Sequence, residues 1–387
     1  MKKILLGTSA LVAATALFAG AANAAETPKI TLGGFSNFEA GFVSEDLDTD
    51  RRSGAFRTDN VITVRVAGKS DAGLGYGVGI DLEADTSDNA DSAGVNAERT
   101  FIYVDGKWGK LQGGSDLGVT KTMKVDASSI ARATGGIDGD FTYFINTSGT
   151  AYNYAAGTGG TGQVWATPDL MLDYGATVLG DESQQAINKL SYYTPRFSGF
   201  QAGVSYLFDT TGGDRGQSLT TADNTAGEAE NVVLGAISYE GKFQNVGVNL
   251  AATGEYGNSE DNTINDLRTY QLGAKFDYMG FSLAGSYANV GDSLRVKTVG
   301  SDSNNRLWTV GAAYETGPFG ASVTYLDSRG DLGATHNDFS NLSFGVDYKL
   351  AAGLTPYAEV SVVKLDPTAT ANDNDATVVI VGTQLAF

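Results

Sequence analysis

The sequence lacks cysteine altogether and has a single histidine, His336. Without cysteine, no thiol nucleophile, redox pair or cysteine-ligated zinc cluster can form. One histidine removes most of the remaining imidazole-based catalytic and metal-binding arrangements. The six prolines argue against a low-complexity disordered chain. These absences exclude most catalytic and metal chemistry, so we do not expect an enzyme.

Positive charge is also scarce, with 26 Lys and Arg against 45 Asp and Glu and a formal net charge of −19. Nucleic-acid binding depends on neutralising phosphates with Lys and Arg, so no nucleic-acid partner is expected. Glycine is abundant instead, at 51 of 387 residues against a usual share of about 7%. Tight turns and small side chains beside an internal space would use that glycine.

The N-terminus has the pattern of a secretory signal. Lys2 and Lys3 precede an apolar stretch from Ile4 to Ala22, and the stretch closes with the A-x-A sequence Ala22-Asn23-Ala24. Polar residues interrupt the stretch, whereas a membrane anchor helix needs about 20 apolar residues. The sequence predicts a cleaved signal peptide over residues 1–24 and a mature domain over residues 25–387.

Beyond the signal, no apolar run is long enough to span a bilayer as a helix, and the mean hydropathy is −0.13. Near-neutral hydropathy also fits a membrane barrel, because a barrel strand turns only every second residue toward lipid. In Leu74 to Ala84, apolar residues alternate with glycine, Asp81 and Glu83. A helix would place those acids among the apolar residues, so the two-residue period predicts a strand.

The same alternation recurs as paired segments joined by short turns, which read as seven hairpins. They are Phe56 to Ala67 with Leu74 to Ala84, Glu98 to Val104 with Lys110 to Gly114, Lys189 to Tyr193 with Phe200 to Phe208, Val232 to Tyr239 with Phe243 to Ala252, Tyr270 to Tyr278 with Phe281 to Tyr287, Leu307 to Tyr314 with Phe319 to Leu326, and Leu342 to Leu350 with Thr355 to Val363. A first strand from Lys29 to Val43 and a last from Thr377 to Phe387 bring the total to about 16, the even number that a closed barrel requires.

Short and long connections alternate along the chain. The long, polar ones are Ser44 to Ala55, Asp85 to Ala97, Asp209 to Glu230, Glu255 to Leu267, Asp327 to Asp338 and Asp366 to Ala376. Short turns on one rim and long loops on the other are typical of the periplasmic and extracellular ends of an outer-membrane barrel. We therefore predict an all-β transmembrane antiparallel barrel in the outer membrane of a Gram-negative bacterium.

Four stretches of the sequence resemble the Gram-negative general porin family. They are Asn188 to Phe200, with its Tyr-Tyr-Thr-Pro-Arg-Phe-Ser-Gly-Phe turn, Trp108 to Gly114, the loop from Ser115 with Gly135 to Phe141, and the ending Gly382-Thr383-Gln384-Leu385-Ala386-Phe387. The ending is similar to the family's barrel-insertion signal, formed here by Gly382, Leu385 and Phe387. Ile380 stands where the signal usually has a polar residue.

The resemblance implies that the long connection from Ser115 to Ala186, the third loop, folds into the lumen and sets its constriction. It implies an acidic side formed by Asp116, Asp126, Asp138 and Asp140 and a basic wall formed by Arg57, Arg65 and Arg99. Arg57 and Arg65 lie on the polar parity of their strand, and an arginine facing mid-bilayer lipid would cost about 2–4 kcal/mol, so they should face water.

These features predict a water-filled channel for passive diffusion of small polar solutes and ions, with a weak cation preference because the chain is acidic overall. One alternative is a substrate-specific channel on a similar barrel, for which the inward parity of Phe101 and Tyr103 is ambiguous. A hydrolase using His336, beside Asn337 and Asp338, lacks a recognisable nucleophile motif. A purely structural or adhesive barrel would not need a hydrated inner face.

The resemblance also implies a homotrimer, contacts with outer-membrane lipid and lipopolysaccharide, and insertion by the barrel-assembly machinery. No cofactor or metal site is expected. The acidic clusters Glu45 to Asp50, Asp85 to Asp88 and Asn372 to Asp375 offer oxygen ligands of the kind that Ca²⁺ takes, but none has the spaced calcium-loop pattern. Loop-bound Ca²⁺ therefore stays an alternative to hydrated extracellular tips.

Overall fold

The computed structural model describes residues 27–48, 50–85, 96–146, 164–172, 187–210, 227–297, 305–331, 335–368 and 373–387. The signal peptide predicted over residues 1–24 lies outside these ranges. Among the described residues, no helix is both long and apolar enough to cross a membrane.

Within these ranges, sixteen antiparallel strands close into one barrel. The strands are β1 (Lys29–Glu45), β2 (Gly54–Lys69), β3 (Gly75–Glu83), β4 (Asn96–Gly106), β5 (Gly109–Ser115), β6 (Asn188–Tyr193), β7 (Phe200–Asp209), β8 (Ala229–Phe243), β9 (Val246–Ser259), β10 (Leu267–Tyr278), β11 (Phe281–Gly291), β12 (Asn305–Thr316), β13 (Phe319–Asp331), β14 (His336–Tyr348), β15 (Leu354–Asp366) and β16 (Asn374–Ala386). Each pairs with its neighbours in sequence, which confirms the predicted barrel of about 16 strands.

The first and last strands form the seam of the barrel. β1 pairs with β16 from Phe35 opposite Ala386 to Glu45 opposite Ala376. At the end of the seam, the Phe387 N–H donates to the Gly34 carbonyl and the Gly34 N–H donates to the Phe387 carbonyl, both at 3.0 Å. Closure matters because an open edge in hydrocarbon leaves backbone groups unpaired, at several kcal/mol each.

The two faces of each strand alternate as predicted. In β16, Val379, Val381 and Leu385 point outward and are 36%, 53% and 46% exposed, whereas Val378 and Ile380 between them are buried. In β2, Phe56 is exposed on the outer face, and its neighbour Arg57 turns inward to the third loop. The outer surface is apolar, which suits a hydrocarbon environment.

Short turns lie on one rim and longer connections on the other, but several predicted strand boundaries are wrong, as at the end of β8 and between β13 and β14. β8 continues through Phe243, and the turn is Gln244-Asn245, with Gln244 at a φ of 54°. Two-residue turns with positive φ match the twist of paired strands, so the pairing extends to the last residue before the turn. The loop predicted over Asp327 to Asp338 shrinks to residues 332–335, because β13 and β14 keep pairing up to Asp331 opposite His336. Backbone pairing does not depend on a lipid-facing pattern, and the hydropathy pattern therefore misses it.

The described parts of the third loop, between β5 and β6, are residues 116–146 and 164–172, and they fold inside the barrel, which confirms the prediction from resemblance. They include a short helix α1 (Val119–Met123) and 3-10 turns at Ala127–Ile130, Gly136–Asp138 and Asp140–Tyr143. Helix α1 packs against β7, β8 and β9, and the turn Gly136–Asp138 packs against β13, β14 and β15. The loop therefore crosses the lumen from one wall to the other.

Candidate functional site

The tip of the third loop is fixed to the inner wall by apolar packing. Phe141 and Phe144 lie in one buried cluster with Val378 and Ile380 of β16. A Cβ on Gly41 of β1 would overlap the Phe144 ring, so glycine is needed for this approach. This cluster explains why Ile380 is apolar on the inner parity: its side chain faces the third loop instead of open water.

A carboxylate of the wall holds the same tip by hydrogen bonds. Glu359 of β15 is buried and accepts from the Thr134 hydroxyl at 2.9 Å, the Gly136 N–H at 3.0 Å and the Thr134 N–H at 3.3 Å. Three hydrogen bonds from the loop converge on this one carboxyl group, so it is a strong anchor. Nothing in the local sequence marks Glu359, because its partner lies more than 200 positions earlier.

Arg57 is the point where the basic wall meets the loop. Its guanidinium lies 3.3 Å from Asp140 of the loop, 3.4 Å from Glu39 and 3.5 Å from Asp59, and it stacks 3.8 Å from the Tyr143 ring centroid. Burial is the main cause and the nearby Glu39 carboxylate the second cause that raise the pKa of Asp140 to about 7, and the positive charge of Arg57 opposes this rise. Asp140 is therefore poised to change charge near neutral pH.

The other two arginines lie together further along the wall. Arg65 and Arg99 approach the two oxygens of Asp81 at 2.5 and 3.0 Å, and Asp81 is fully buried between them. Arg99 also lies 3.8 Å from Asp116 at the root of the loop. The structure thus brings Asp116 and Asp140 to the predicted basic wall.

The structure does not bring Asp126 and Asp138 to the arginines. Lys124 lies 2.8 Å from Asp126, and Lys121 lies 3.7 Å from Asp138. Asp126 is 1% exposed and faces no open lumen. Burial, followed by the Asp169 carboxylate, raises the pKa of Asp138 to about 6 against the pull of Lys121 and Lys124. These two acids belong to an ion network inside the loop.

Asp169 is the centre of that network, and sequence reasoning missed it. It pairs with Lys121 at 2.5 Å and with Lys124, and although burial opposes this, the two lysines lower its pKa to about 2. The surrounding segment 164–172 is held to the wall by the Gln271 amide, which donates to the Pro168 carbonyl at 2.9 Å, and by the Ser328 hydroxyl, which donates to the Trp165 carbonyl at 2.7 Å. The feature of the sequence that could have indicated this contact is that segment 164–172 is largely apolar inside an otherwise polar loop.

Open space remains beside the loop tip. One cavity is lined by the carboxylates Asp59, Asp140 and Asp347 together with Asn37, Thr134 and Tyr357, and no Lys or Arg is among the described residues that line it. Nearby, carboxylate oxygens of Asp59, Glu83 and Asp85 lie within 4.8 Å of one another. This side of the lumen presents acidic groups to a passing solute.

Of the predicted insertion signal, Leu385 and Phe387 lie on the outer face at the seam, whereas Gly382 lies on the inner face. Leu385 and Phe387 are 46% and 67% exposed, and Gly382 lies under the Tyr357 ring, which a Cβ at that position would overlap. His336 begins β14 instead of lying in a long loop, and its Nε2 is 3.1 Å from Asp338. That position is a correction, and it follows from the extended pairing of β13 and β14.

The chain has relatives over nearly its whole length. A family model described as Gram-negative porin matches residues 8–368. An uncharacterized protein of Rickettsia bellii is 26% identical over 451 residues, with all of both chains covered. Outer membrane porin protein 32 of Delftia acidovorans is 25% identical over 368 residues, covering 94% of this chain and 90% of that protein. The solved structure of an anion-selective porin from Comamonas acidovorans aligns with a TM-score of 0.65 at 20% identity, covering 93% of this chain and all of that one.

Proposed function

Because the chain belongs to the Gram-negative porin family, we propose that it lets small hydrophilic solutes and ions diffuse passively through a water-filled lumen, with a weak preference for cations. Porins are outer-membrane channel proteins, and a barrel of about 16 strands is wide enough for an aqueous channel. The direction of ion preference is the finer part of the proposal and depends on the charges of the lumen.

The acidic cavity beside the loop tip carries the proposal of cation preference. Three carboxylates line it, and two guanidinium groups lie against them. Arg57 contacts Asp59 and Asp140 but is shared with Glu39, and Arg132, 3.8 Å from Asp347, is shared with Glu315. Charged groups in a narrow pore act across short, weakly screened distances and so determine which ions enter. The excess of carboxylates over cations at this level favours K⁺ over Cl⁻.

The solved relative named as an anion-selective porin shares the fold of this chain at 20% identity. At that identity the likeness extends to the barrel, and ion preference depends on individual lumen side chains. The two proteins can therefore differ in the sign of selectivity on the same scaffold.

Reversal potentials test the proposal. The processed protein, inserted in a planar bilayer under a KCl gradient, should show stepwise conductance and a reversal potential whose sign favours K⁺. A potential that favours Cl⁻ would overturn the cation preference and leave the channel intact. A bilayer that stays as impermeable to salt as before protein addition would overturn the channel itself.

A substrate-specific channel is the second candidate, and flux measurements separate the two. General diffusion predicts that the flux of neutral sugars into protein-loaded liposomes rises linearly with concentration. Saturation by one sugar, at concentrations where others still diffuse linearly, would favour the specific channel.

We also propose that the protein is a homotrimer in contact with outer-membrane lipid and lipopolysaccharide, inserted by the barrel-assembly machinery and active without a cofactor. Family membership supports the trimer. Chemical cross-linking in detergent should give a ladder that ends at three subunits, and a ladder that stops at one subunit would contradict the trimer.

Chelation with EDTA should leave the conductance unchanged, and a loss of conductance would point to Ca²⁺ in the acidic loops.

A further inference from the structure

Three aromatic rings surround one ammonium group on the inner wall, near the rim with short turns. Phe101 and Tyr103 of β4, Lys110 of β5 and Tyr193 of β6 share the inner face, because Tyr103 pairs with Gln112 and Lys110 pairs with Tyr193. The Lys110 Nζ lies 5.0 Å from the Tyr103 centroid and 5.8 Å from the centroids of Phe101 and Tyr193. All three distances are within the roughly 6 Å range of cation–π attraction.

Glycines of β3 make room for the rings. A Cβ on Gly79 would overlap the Phe101 ring, and a Cβ on Gly77 would overlap that of Tyr103. The rings therefore lie over the glycine strand with the lumen beside them. Phe101 and Tyr103 are the two inner-face aromatic residues whose role was ambiguous from the sequence.

Lys110 has no ion pair and no hydrogen bond to any described residue, although Asp105 lies directly opposite it in the β4–β5 pairing. The Asp105 carboxylate leans away, into the space that a Cβ on Gly75 would occupy. Asp116 is also engaged elsewhere, by the Gln112 amide at 2.6 Å and by Arg99. The three N–H donors of the ammonium are left for water or a solute.

A cavity opens at this point. It is lined by Lys110 and Tyr193 together with the polar groups of Gln112, Thr122 and Gln201, and the carboxylates Asp105 and Asp116 complete its rim. Arg65 lies 5.7 Å from the Phe101 centroid, but its charge is paired with Asp81, so Lys110 is the cation left for a solute here. The cavity thus combines the Tyr193 ring with an ammonium that is not hydrogen-bonded to any described residue, and the Phe101 and Tyr103 rings lie within 6 Å of that ammonium.

We propose that Lys110, Phe101, Tyr103 and Tyr193 form a binding site for small aromatic carboxylates inside the lumen. The ammonium pairs with the solute carboxylate, and the solute ring packs against the Tyr193 ring that lines the cavity, while the Phe101 and Tyr103 rings hold the ammonium in place. Neither interaction alone selects this class, since acetate lacks the ring and a neutral aromatic lacks the charge. The proposal rests on the channel function, because a solute reaches this wall only through an open lumen.

Current block by benzoate tests the site. We expect benzoate to reduce the KCl current of the full processed protein in planar bilayers in a saturable way, whereas acetate and benzyl alcohol do not. Lys110→Gln should raise the half-blocking benzoate concentration about tenfold, as loss of one charge-assisted contact predicts. Tyr103→Leu should weaken the block as well, and Lys110→Arg should retain it.

Lys107→Gln is the matched control, because Lys107 lies exposed in the adjoining turn and outside the cavity. It removes the same charge at the same rim and should leave the benzoate block unchanged. An equal half-blocking concentration in wild type and Lys110→Gln would overturn the site. If acetate blocked the current as strongly as benzoate, charge alone would explain the block and the proposed site would be wrong. If benzyl alcohol blocked it as strongly as benzoate, the rings alone would explain the block, which would also contradict the proposal. Absence of any KCl conductance would contradict the channel function instead.

Discussion

Among single residues, Asp140 joins the third loop to the barrel wall and also has a pKa near neutrality. It lies 3.3 Å from Arg57, yet burial and Glu39 raise its pKa to about 7. A carboxyl with such a pKa is charged above neutrality and protonated below it. The field in the lumen should accordingly depend on pH over a range in which ordinary carboxylates do not titrate.

We predict that the cation preference decreases as the pH falls through about 7, because protonated Asp140 no longer offsets Arg57. Asp140→Asn should reduce the preference at high pH and make this step smaller, with Asp138 still titrating at lower pH. Reversal potentials measured across the neutral range check both statements. Asp261→Asn, in the connection between β9 and β10, is the control and should keep the wild-type step. A step of equal size in Asp140→Asn would assign the titration to another group.

At the scale of elements, the lumen contains two segments of one loop. Residues 116–146 cross toward β13–β16, and residues 164–172 lie against β9, β10 and β13 through Glu255, Gln271 and Ser328. Asp169 ties the second segment to Lys121 and Lys124 of the first. The two segments therefore support each other, and one buried carboxylate connects them.

Asp169→Asn should loosen this connection, because removing one partner of a buried ion pair costs about 3–5 kcal/mol. We expect noisier single-channel currents, as segment 164–172 is less firmly held to the wall. We also expect the reversal potential to shift toward anions, because one of the carboxylates that offset Lys121 and Lys124 is lost. Single-channel recordings beside Asp261→Asn provide the comparison. Unchanged current noise and selectivity would show that the wall hydrogen bonds hold the segment without Asp169.

At the scale of the whole molecule, the barrel depends on its seam. β1 and β16 pair along their length, and the last residue adds two backbone hydrogen bonds to Gly34. Phe387 also presents an exposed ring on the outer face, next to Leu385 on the same parity. The C-terminus therefore helps to close the barrel. In the proposed insertion signal, it is also the part of the chain that the barrel-assembly machinery recognises.

Deletion of Phe387 should lower the yield of inserted barrel severalfold, because two seam hydrogen bonds and the terminal ring are lost together. The measurement is the fraction of protein that migrates as folded barrel in unheated electrophoresis samples from outer membranes. Phe387→Tyr keeps the backbone bonds and the ring, so its yield should match wild type. Equal yields for the deletion and wild type would remove Phe387 from the insertion signal.

The sequence by itself determined the barrel. A barrel strand turns every second residue toward lipid, where it must be apolar, and the residues between face water and can be polar. This period predicts the number of strands, the side of the sheet on which each residue lies and the rim on which each connection lies. Val379 and Val381 on the outer face and Arg57 and Arg65 on the inner face are examples. Closure followed from the same constraint, since an unpaired edge is too costly in hydrocarbon.

Only the tertiary structure decided which charges meet inside. A loop has no period, so the sequence could not separate Asp116 and Asp140, which reach the arginines, from Asp126 and Asp138, which pair with Lys124 and Lys121. Glu359 and Asp169 were hidden for the same reason, because their partners come from distant positions that the closed barrel alone brings together. The period that lipid imposes on strands is local, whereas charge pairing across a lumen depends on distances that exist only after the chain has folded.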